Sequence, residues 1–404
     1  MASVFDIPEL APYRAGWRAR CARYALYRSY YTATAYDKLR GYTAAQKLYA
    51  GTRALFSPLR RVVAVDCAKI PAAWALTEDA PAALFDDVTT LRRRLDAERV
   101  YGRFLKYGAV AGEAAIVVSG RPAAEVLTAH RPDEIVTGAI DGVPFGLIIK
   151  TGQIDAKGRH EWAQLLTDRL VLTFRDGKQV ARQPNALGYL PVFFGAFTEG
   201  EDGTGEPAFA GVLELLDRVN EAASLTLDVI TRNAEPLVVM TGVTDVERED
   251  DSDALKIANE KANVFTVDPK LAIADTLAFI QDVRSEFKEL LPQLRLSELT
   301  GASDLAYETV ITLLQELGDH IVAVRSSVDR TIEQVERRLL GLNGHDASQN
   351  GRDVSRPYGL WRDRRWLTLT ESQQLDLEGK RLGIEQQRKA LEAPIAVNSR
   401  TPGA

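Results

Sequence analysis

Three carboxylates crowd four positions at Asp250-Asp251-Ser252-Asp253. Such oxygens suit a divalent cation, or the two-carboxylate chemistry of a metal-dependent nuclease. A calcium loop would also need its glycine turn and a distal glutamate, and neither is in place. The competing reading is a solvated acidic surface or a helix start. The four histidines, His130, His160, His320 and His345, are scattered without metal-ligand spacing, which predicts solvated or capping roles. The glycine-rich stretch TEGEDGTGE (198–206) lacks the lysine and the strand–loop–helix spacing that would cradle a phosphate. The chain has no nucleophile elbow, dinucleotide fingerprint or paired-histidine zinc helix. Cys21 and Cys67 are the only cysteines, so a disulfide framework and a cysteine-built zinc site are ruled out and a reducing compartment fits. The expectation is a protein without enzymatic activity and without a cofactor.

Without a catalytic motif, charge distribution becomes the next clue. The 404 residues are 46% hydrophobic and 26% charged, ordinary for a folded chain of two or three domains. No apolar run approaches the ~18 residues of a membrane span, and the N-terminus lacks the pattern of a secretory signal. The net charge of −6 is unevenly spread. Residues 1–61 hold eleven Lys/Arg against Asp6, Glu9 and Asp37, a local +8, together with eight of the thirteen tyrosines. Basic residues among aromatics can contact nucleic acid. They can equally mark an amphipathic helix that docks on an acidic neighbour, another subunit included.

The elements that would position these groups are mostly helical. Residues 18–50 read as helix broken at Gly41, and Leu59–Ala75 as an apolar lead-in to another. Leu84–Tyr107 reads as one helix with Val88, Leu91, Leu95, Val100 and Phe104 on its buried side, ended by Gly108 ahead of a strand at 112–118. From Leu127 to Phe197 the pattern is β, with turns at Asp141-Gly142 and Asp176-Gly177.

A long helix is then predicted from Pro207 to about Asn233, with Val212, Leu215, Leu216, Val219, Ala223, Leu227 and Ile230 on one face. A return helix starts after the Asp268 cap and Pro269. Between them, about thirty residues read as strand (PLVVMTGV), helix (DALKIANEKA) and strand (NVFTV). So small an insert cannot bury enough surface to stand alone, which argues for contact with copies of itself. A third long helix runs from about Leu305 to Leu340, with Gly318 allowing a bend and Leu313, Leu317, Ile321, Val324, Val328, Ile332 and Val335 in its stripe. After a polar stretch, Glu371–Leu391 reads as a last amphipathic helix.

The order of these elements, with the phrases YGAVAGEAAIVV, LGYLPVFFGAF, LELLDRVNEAASLTLDVITRNAEPLVVMTGV and LTGASDLAYETV, resembles the portal proteins of tailed bacteriophages. The resemblance covers roughly residues 20–340, and 187–243 is its most specific part. One departure is Gly301-Ala302-Ser303-Asp304, where the family often has Ser-Gly before the third long helix. It implies an α+β, predominantly helical fold with wing, stem, clip and crown, assembling as a ring, usually of twelve subunits. The wing would be 1–205, the stem helices 206–234 and 269–292, the clip 235–268, the tunnel loop 293–304, the long wing helix 305–341 and the crown 342–404. It implies a virion protein at one capsid vertex through which double-stranded DNA is packaged and ejected. Its partners would be the terminase large subunit, a head–tail adaptor, and the major capsid and scaffolding proteins, with no membrane. Arg284, Lys288 and Arg295, with Leu296, Ser297 and Leu299, become candidates to face DNA. Arg284 and Lys288 also lie beside Asp282, Glu286 and Glu289, so ion pairing competes with a channel role. Leu237, Val238, Val239, Met240 and Thr241 would form the clip strand that pairs between subunits. Asp245, Glu247, Arg248, Glu249, Asp250 and Asp251 would lie where motor and adaptor dock. The rival expectation is a nucleic-acid-binding or modifying protein using the basic N-terminus.

Overall fold

The computed structural model describes residues 3–35, 56–70, 82–155, 158–200, 204–233, 237–241, 246–248, 255–257, 263–267, 273–294 and 307–342. The fold is mixed α+β, in two compact units. One comprises Met1–Trp17, Val63–Ala208 and Pro292–Ala404; the other comprises Arg18–Val62 and Phe209–Leu291.

The first unit is built around antiparallel sheets. Strands β1 (Glu113–Arg121), β2 (Ala124–His130) and β8 (Val192–Ala196) form one sheet in the order β2-β1-β8. Strands β3 (Ile135–Ile140), β4 (Val143–Asp155), β5 (Gly158–Leu166), β6 (Leu170–Arg175) and β7 (Lys178–Pro184) form a five-stranded meander. Alternation along β4 divides its side chains between two cores. Phe145, Leu147 and Ile149 meet Val4, Phe5 and Leu10 of the N-terminus on one face. Ile148 meets Ala115, Val117 and Val192 on the other. The predicted turns are present: Asp141-Gly142 and Asp176-Gly177 have positive φ at both positions, as a two-residue hairpin requires.

The predicted helix at 84–107 is two helices, α3 (Ala82–Arg94) and α4 (Ala97–Ala111). Asp96 adopts φ 50 between them, a left-handed conformation that Asp tolerates better than most residues. The expected face is nonetheless continuous, since Val88, Leu91, Leu95, Val100 and Phe104 are all buried. Gly112, not Gly108, terminates α4. At φ 88 its absent Cβ would lie 2.1 Å from the Gly205 carbonyl oxygen, so any side chain there would collide with backbone. Strands β9 (Thr198–Glu199) and β10 (Gly205–Glu206) pair across the glycine-rich link.

Helix α1 spans Arg14–Tyr31, beginning earlier and ending sooner than the sequence suggested; Gly41 lies outside the described residues. Leu59–Lys69 is itself helix α2. Pro207 does not open the long helix of the second unit. Ala208 N–H donates to Ala109 O (2.9 Å), a short 3-10 turn covers Ala210–Val212, and α5 runs Leu213–Asn233. Its partner α6 runs Ile273–Leu290. The insert holds two two-stranded antiparallel sheets, β11 (Leu237–Thr241) with β14 (Asn263–Val267) and β12 (Val246–Arg248) with β13 (Leu255–Ile257). The expected helix at 253–262 is therefore corrected at Leu255–Ile257. These residues alternate apolar, charged, apolar, and ladder bonds to β12 prevail over their helical propensity.

In the first unit, α7 spans Tyr307–Leu342 and passes through Gly318 without interruption. Its stripe Leu317, Ile321, Val324, Val328, Ile332, Val335 and Leu339 is buried. It packs on β8, where Ser327 Oγ donates to Ala196 O at 2.7 Å. A Cβ at Gly195 would sit 2.3 Å from Thr331 Oγ1. The final predicted helix at 371–391, Asp268 and Pro269 lie outside the described residues.

Candidate functional site

The hairpin is assembled from both arms and a returning loop. Helices α5 and α6, about 30 Å long at ~1.5 Å per residue, bury Leu216, Val219, Ile280, Val283 and Phe287, with Val212 just before α5 and Leu291 just after α6 buried as well. Asn220 on α5 is 4% exposed and clamps Phe56 at both backbone ends. Phe56 N–H donates to Asn220 Oδ1 (2.6 Å), and Asn220 Nδ2 donates to Phe56 O (3.0 Å). The Phe56 ring stands edge-on to Phe287 at 5.8 Å. The Arg284 guanidinium lies over that ring, 4.8 Å from its centre, a cation–π contact.

Arg284 and Lys288 thus occupy successive turns of α6, and both are exposed. Among the described residues Arg284 has no ion pair, so its partner is an aromatic face and not Asp282 or Glu286. Leu277, Phe279 and Leu290 are exposed on the same helix, each about half accessible. Helix α6 therefore presents cations, carboxylates and apolar groups outward together.

Helix α1 supplies the tyrosines. Tyr24 is buried, Tyr27 meets Phe209 edge-on at 6.4 Å, and the Tyr30 hydroxyl donates to Asp217 at 2.8 Å. Burial, and then the hydrogen bond to Asp217, push the Tyr30 hydroxyl up to about 12. Arg60 closes the C-terminal end of α1 by donating to Tyr31 O (3.3 Å) and Thr32 O (3.2 Å), which suits the negative end of a helix. Arg18, Arg28, Arg60 and Arg61 remain exposed.

In the insert, the clip residues Leu237, Val238, Val239, Met240 and Thr241 are β11, registered from Leu237↔Val267 to Thr241↔Asn263. Glu247 and Arg248 lie on β12 opposite Lys256 and Leu255. Asp245, Glu249, Asp250, Asp251 and Asp253 lie outside the described residues, as do Arg295, Leu296, Ser297 and Leu299.

The structure also assembles polar clusters that spacing did not reveal. Fully buried Asp66 (α2), Gln293 and the half-buried His320 (α7) meet just before residue 295. Gln293 Nε2 donates to both Asp66 oxygens at 3.1 Å and lies 2.8 Å from His320 Nε2. Buried Arg325 caps the end of α2 by donating to Ile70 O (2.6 Å) and Lys69 O (2.9 Å). Arg92 Nε meets Glu336 Oε1 at 2.7 Å, and the Tyr101 hydroxyl donates to the same oxygen at 3.1 Å. Burial raises the Glu336 carboxyl and outweighs the Arg92 charge opposing it. Near β2, burial also pushes Glu134 up, but His130 and Arg131 outweigh it and hold the carboxyl at about 2.

Three of the histidines therefore depart from the solvated or capping role expected. His130 is buried beside Thr128, His160 contacts Asp176 at 2.6 Å, and His320 contacts Asp66 at 3.2 Å. Asp176 and Asp66 lie far from their histidines in the chain, where no local spacing signals them, whereas Thr128 stands two residues before His130 on the same strand. His345 lies outside the described residues. Among the described residues no three His, Cys, Asp or Glu side chains converge to hold a metal ion, and no helix is long and apolar enough to cross a membrane. No protein-family model matches this sequence, and no curated protein matches it.

Proposed function

We propose that the chain is a portal protein of a tailed bacteriophage: a subunit of a ring, usually of twelve copies, at one capsid vertex. Double-stranded DNA would pass through the ring inward during packaging and outward during ejection. The observation that carries the reading is the pairing of α5 with α6 around an insert of two minimal sheets. Two-stranded sheets are marginal alone, and an insert of this size gains stability where copies of itself close around it. The exposed Leu277, Phe279 and Leu290 on α6 supply apolar surface for such neighbours.

In this reading α5 and α6 are staves of the tunnel wall, and β11 extends its ladder to the next subunit, which would remove an exposed edge. Arg284, Lys288 and residues 295–299 would face the DNA. A sliding duplex requires few phosphate contacts, because each neutralised phosphate adds affinity through counterion release. Arg284 fits this need, since its guanidinium is already engaged over the Phe56 ring. The insert would receive the terminase large subunit and later the head–tail adaptor; the wing would meet capsid and scaffolding proteins. ATP hydrolysis would belong to the motor, and the chain itself would need no cofactor.

Electron microscopy of the purified protein tests the reading. A ring with an axial hole is expected, and a monomer under all conditions, virions included, would overturn it. A second reading, nucleic-acid binding through the N-terminal region, draws on exposed Arg18, Arg28, Arg60 and Arg61. It requires duplex affinity that falls with salt at about 0.9 logarithmic units per phosphate contacted, and loss of that affinity when these arginines are replaced by glutamine.

A further inference from the structure

The Asp66–Gln293–His320 cluster contains two hydrogen-bond arrangements that cannot coexist. His320 Nε2 lies 2.8 Å from Gln293 Nε2 and 3.2 Å from Asp66 Oδ1. The Gln293 amide nitrogen only donates and the Asp66 carboxylate only accepts. A bare Nε2 can take a hydrogen from Gln293, but it then sets a lone pair toward Asp66. A protonated Nε2 can donate to Asp66, but it then sets its hydrogen against those of the amide. Turning the amide over does not help, because Gln293 Oε1 would then face the carboxylate that Nε2 now holds symmetrically at 3.1 Å.

The shorter contact selects the neutral arrangement, with the ring proton on Nδ1. In that state Gln293 relays between α2 and α7, giving one hydrogen to Asp66 and the other to His320. Asp66 and Gln293 are 0% exposed, and among the described residues Gln293 Oε1 has no hydrogen-bond partner. A buried carboxylate strongly favours a nearby cation, and His320 is the group beside Asp66 able to become one.

We propose that this cluster is a proton-operated exchange of contacts between α2 and α7. With His320 neutral, the helices are joined through the Gln293 amide. With His320 protonated, its Nε2–H pairs directly with Asp66 and the Gln293 amide turns away from the ring. The ring gains one proton, and no other covalent change is needed. The described groups around it leave the switch to His320. From α2 come Asp66 and its neighbour Cys67, whose thiol is pushed up to about 11 by burial and then by Asp66, and stays neutral. Lys106 on α4 acts on Cys67. The 292–294 segment offers uncharged Gln293, and α7 itself carries Glu316 one turn before His320 and Asp319 beside it. The inference is independent of the proposed function.

Nitrogen-15 histidine and glutamine side-chain spectra of the full chain, recorded between about pH 5 and 8 where imidazoles titrate, test it, with His320→Gln assigning the ring. The expected result is an Nδ1–H tautomer at high pH, and on acidification a doubly protonated ring whose titration moves the Gln293 amide in step. Asp66→Asn should abolish the coupled amide change. Gln293→Met, which keeps volume and removes the relay, should convert the neutral ring to the Nε2–H tautomer bonded to Asp66. An Nε2–H tautomer in the unmodified chain at high pH, or a ring that titrates without moving the Gln293 amide, overturns the proposal. So does a Gln293→Met chain that retains the Nδ1–H tautomer, even if Asp66→Asn fails to fold.

Discussion

The sheet-centred unit and the hairpin unit treat charge in opposite ways. In the first, charges are buried and answered within the chain: Arg92 by Glu336, Arg325 by the carbonyls closing α2, Asp66 by Gln293 and His320. In the hairpin, α6 turns Asp282, Arg284, Glu286, Lys288 and Glu289 outward, with Leu277, Phe279 and Leu290 among them. The first pattern specifies a fold, since each buried ion is costly unless its one partner is in place. The second places charged and apolar side chains side by side at the surface.

The comparison breaks most severely at the buried pair. Removing one partner, as in Arg92→Met, leaves Glu336 uncompensated and is expected to cost about 3–5 kcal/mol, read by denaturant unfolding; replacing Arg92 and Glu336 together by apolar residues should recover much of it. Phe287→Ala tests the hairpin's own core, at about 3–5 kcal/mol, and hydrogen exchange should show that loss in α5 and α6 and not in the sheets. Asn220→Ala removes both bonds to Phe56, about 1–3 kcal/mol, releasing the loop that Arg284 covers.

Smaller effects sharpen the contrast. Glu134 is held at about 2, below its usual 4.5, so its contribution is full above about pH 4.5 and is lost as pH falls toward 2. In Glu134→Gln that part of the acid sensitivity of unfolding should disappear, while stability at neutral pH drops. Arg284→Ala should change stability least, by about 0.5–1 kcal/mol for an exposed cation–π contact. If Arg284 faces DNA, the same substitution should alter packaging far more than folding; a large stability loss without a packaging defect would mark it as structural.

Periodicity carried much of the fold. The stripes of α3, α4 and α7, part of the face leading into α5 (Val212, Leu216 and Val219), and the two Asp-Gly hairpins were legible because amphipathic spacing and positive-φ turn residues are local signals. The break at Asp96 was not, since neither Gly nor Pro stands there to announce it. Nor was the strand at Leu255–Ile257, which exists only through its pairing with Val246–Arg248. Of the candidate site, Arg284 and Lys288 were legible only as cations of the return helix, and the Phe56 ring beneath Arg284 was not legible at all. Phe56 is far from α6 in the chain and is brought there by Asn220.

The sequence by itself determined most of the helical and β segments, several buried faces and the absence of familiar catalytic motifs, because these depend on residue types at short range. Only the tertiary structure decided which polar groups meet. Asp66, Gln293 and His320, or Arg92, Tyr101 and Glu336, are separated by long stretches of chain that carry no mark of their partnership. They become a unit when packing removes water and leaves each with the other as its remaining partner.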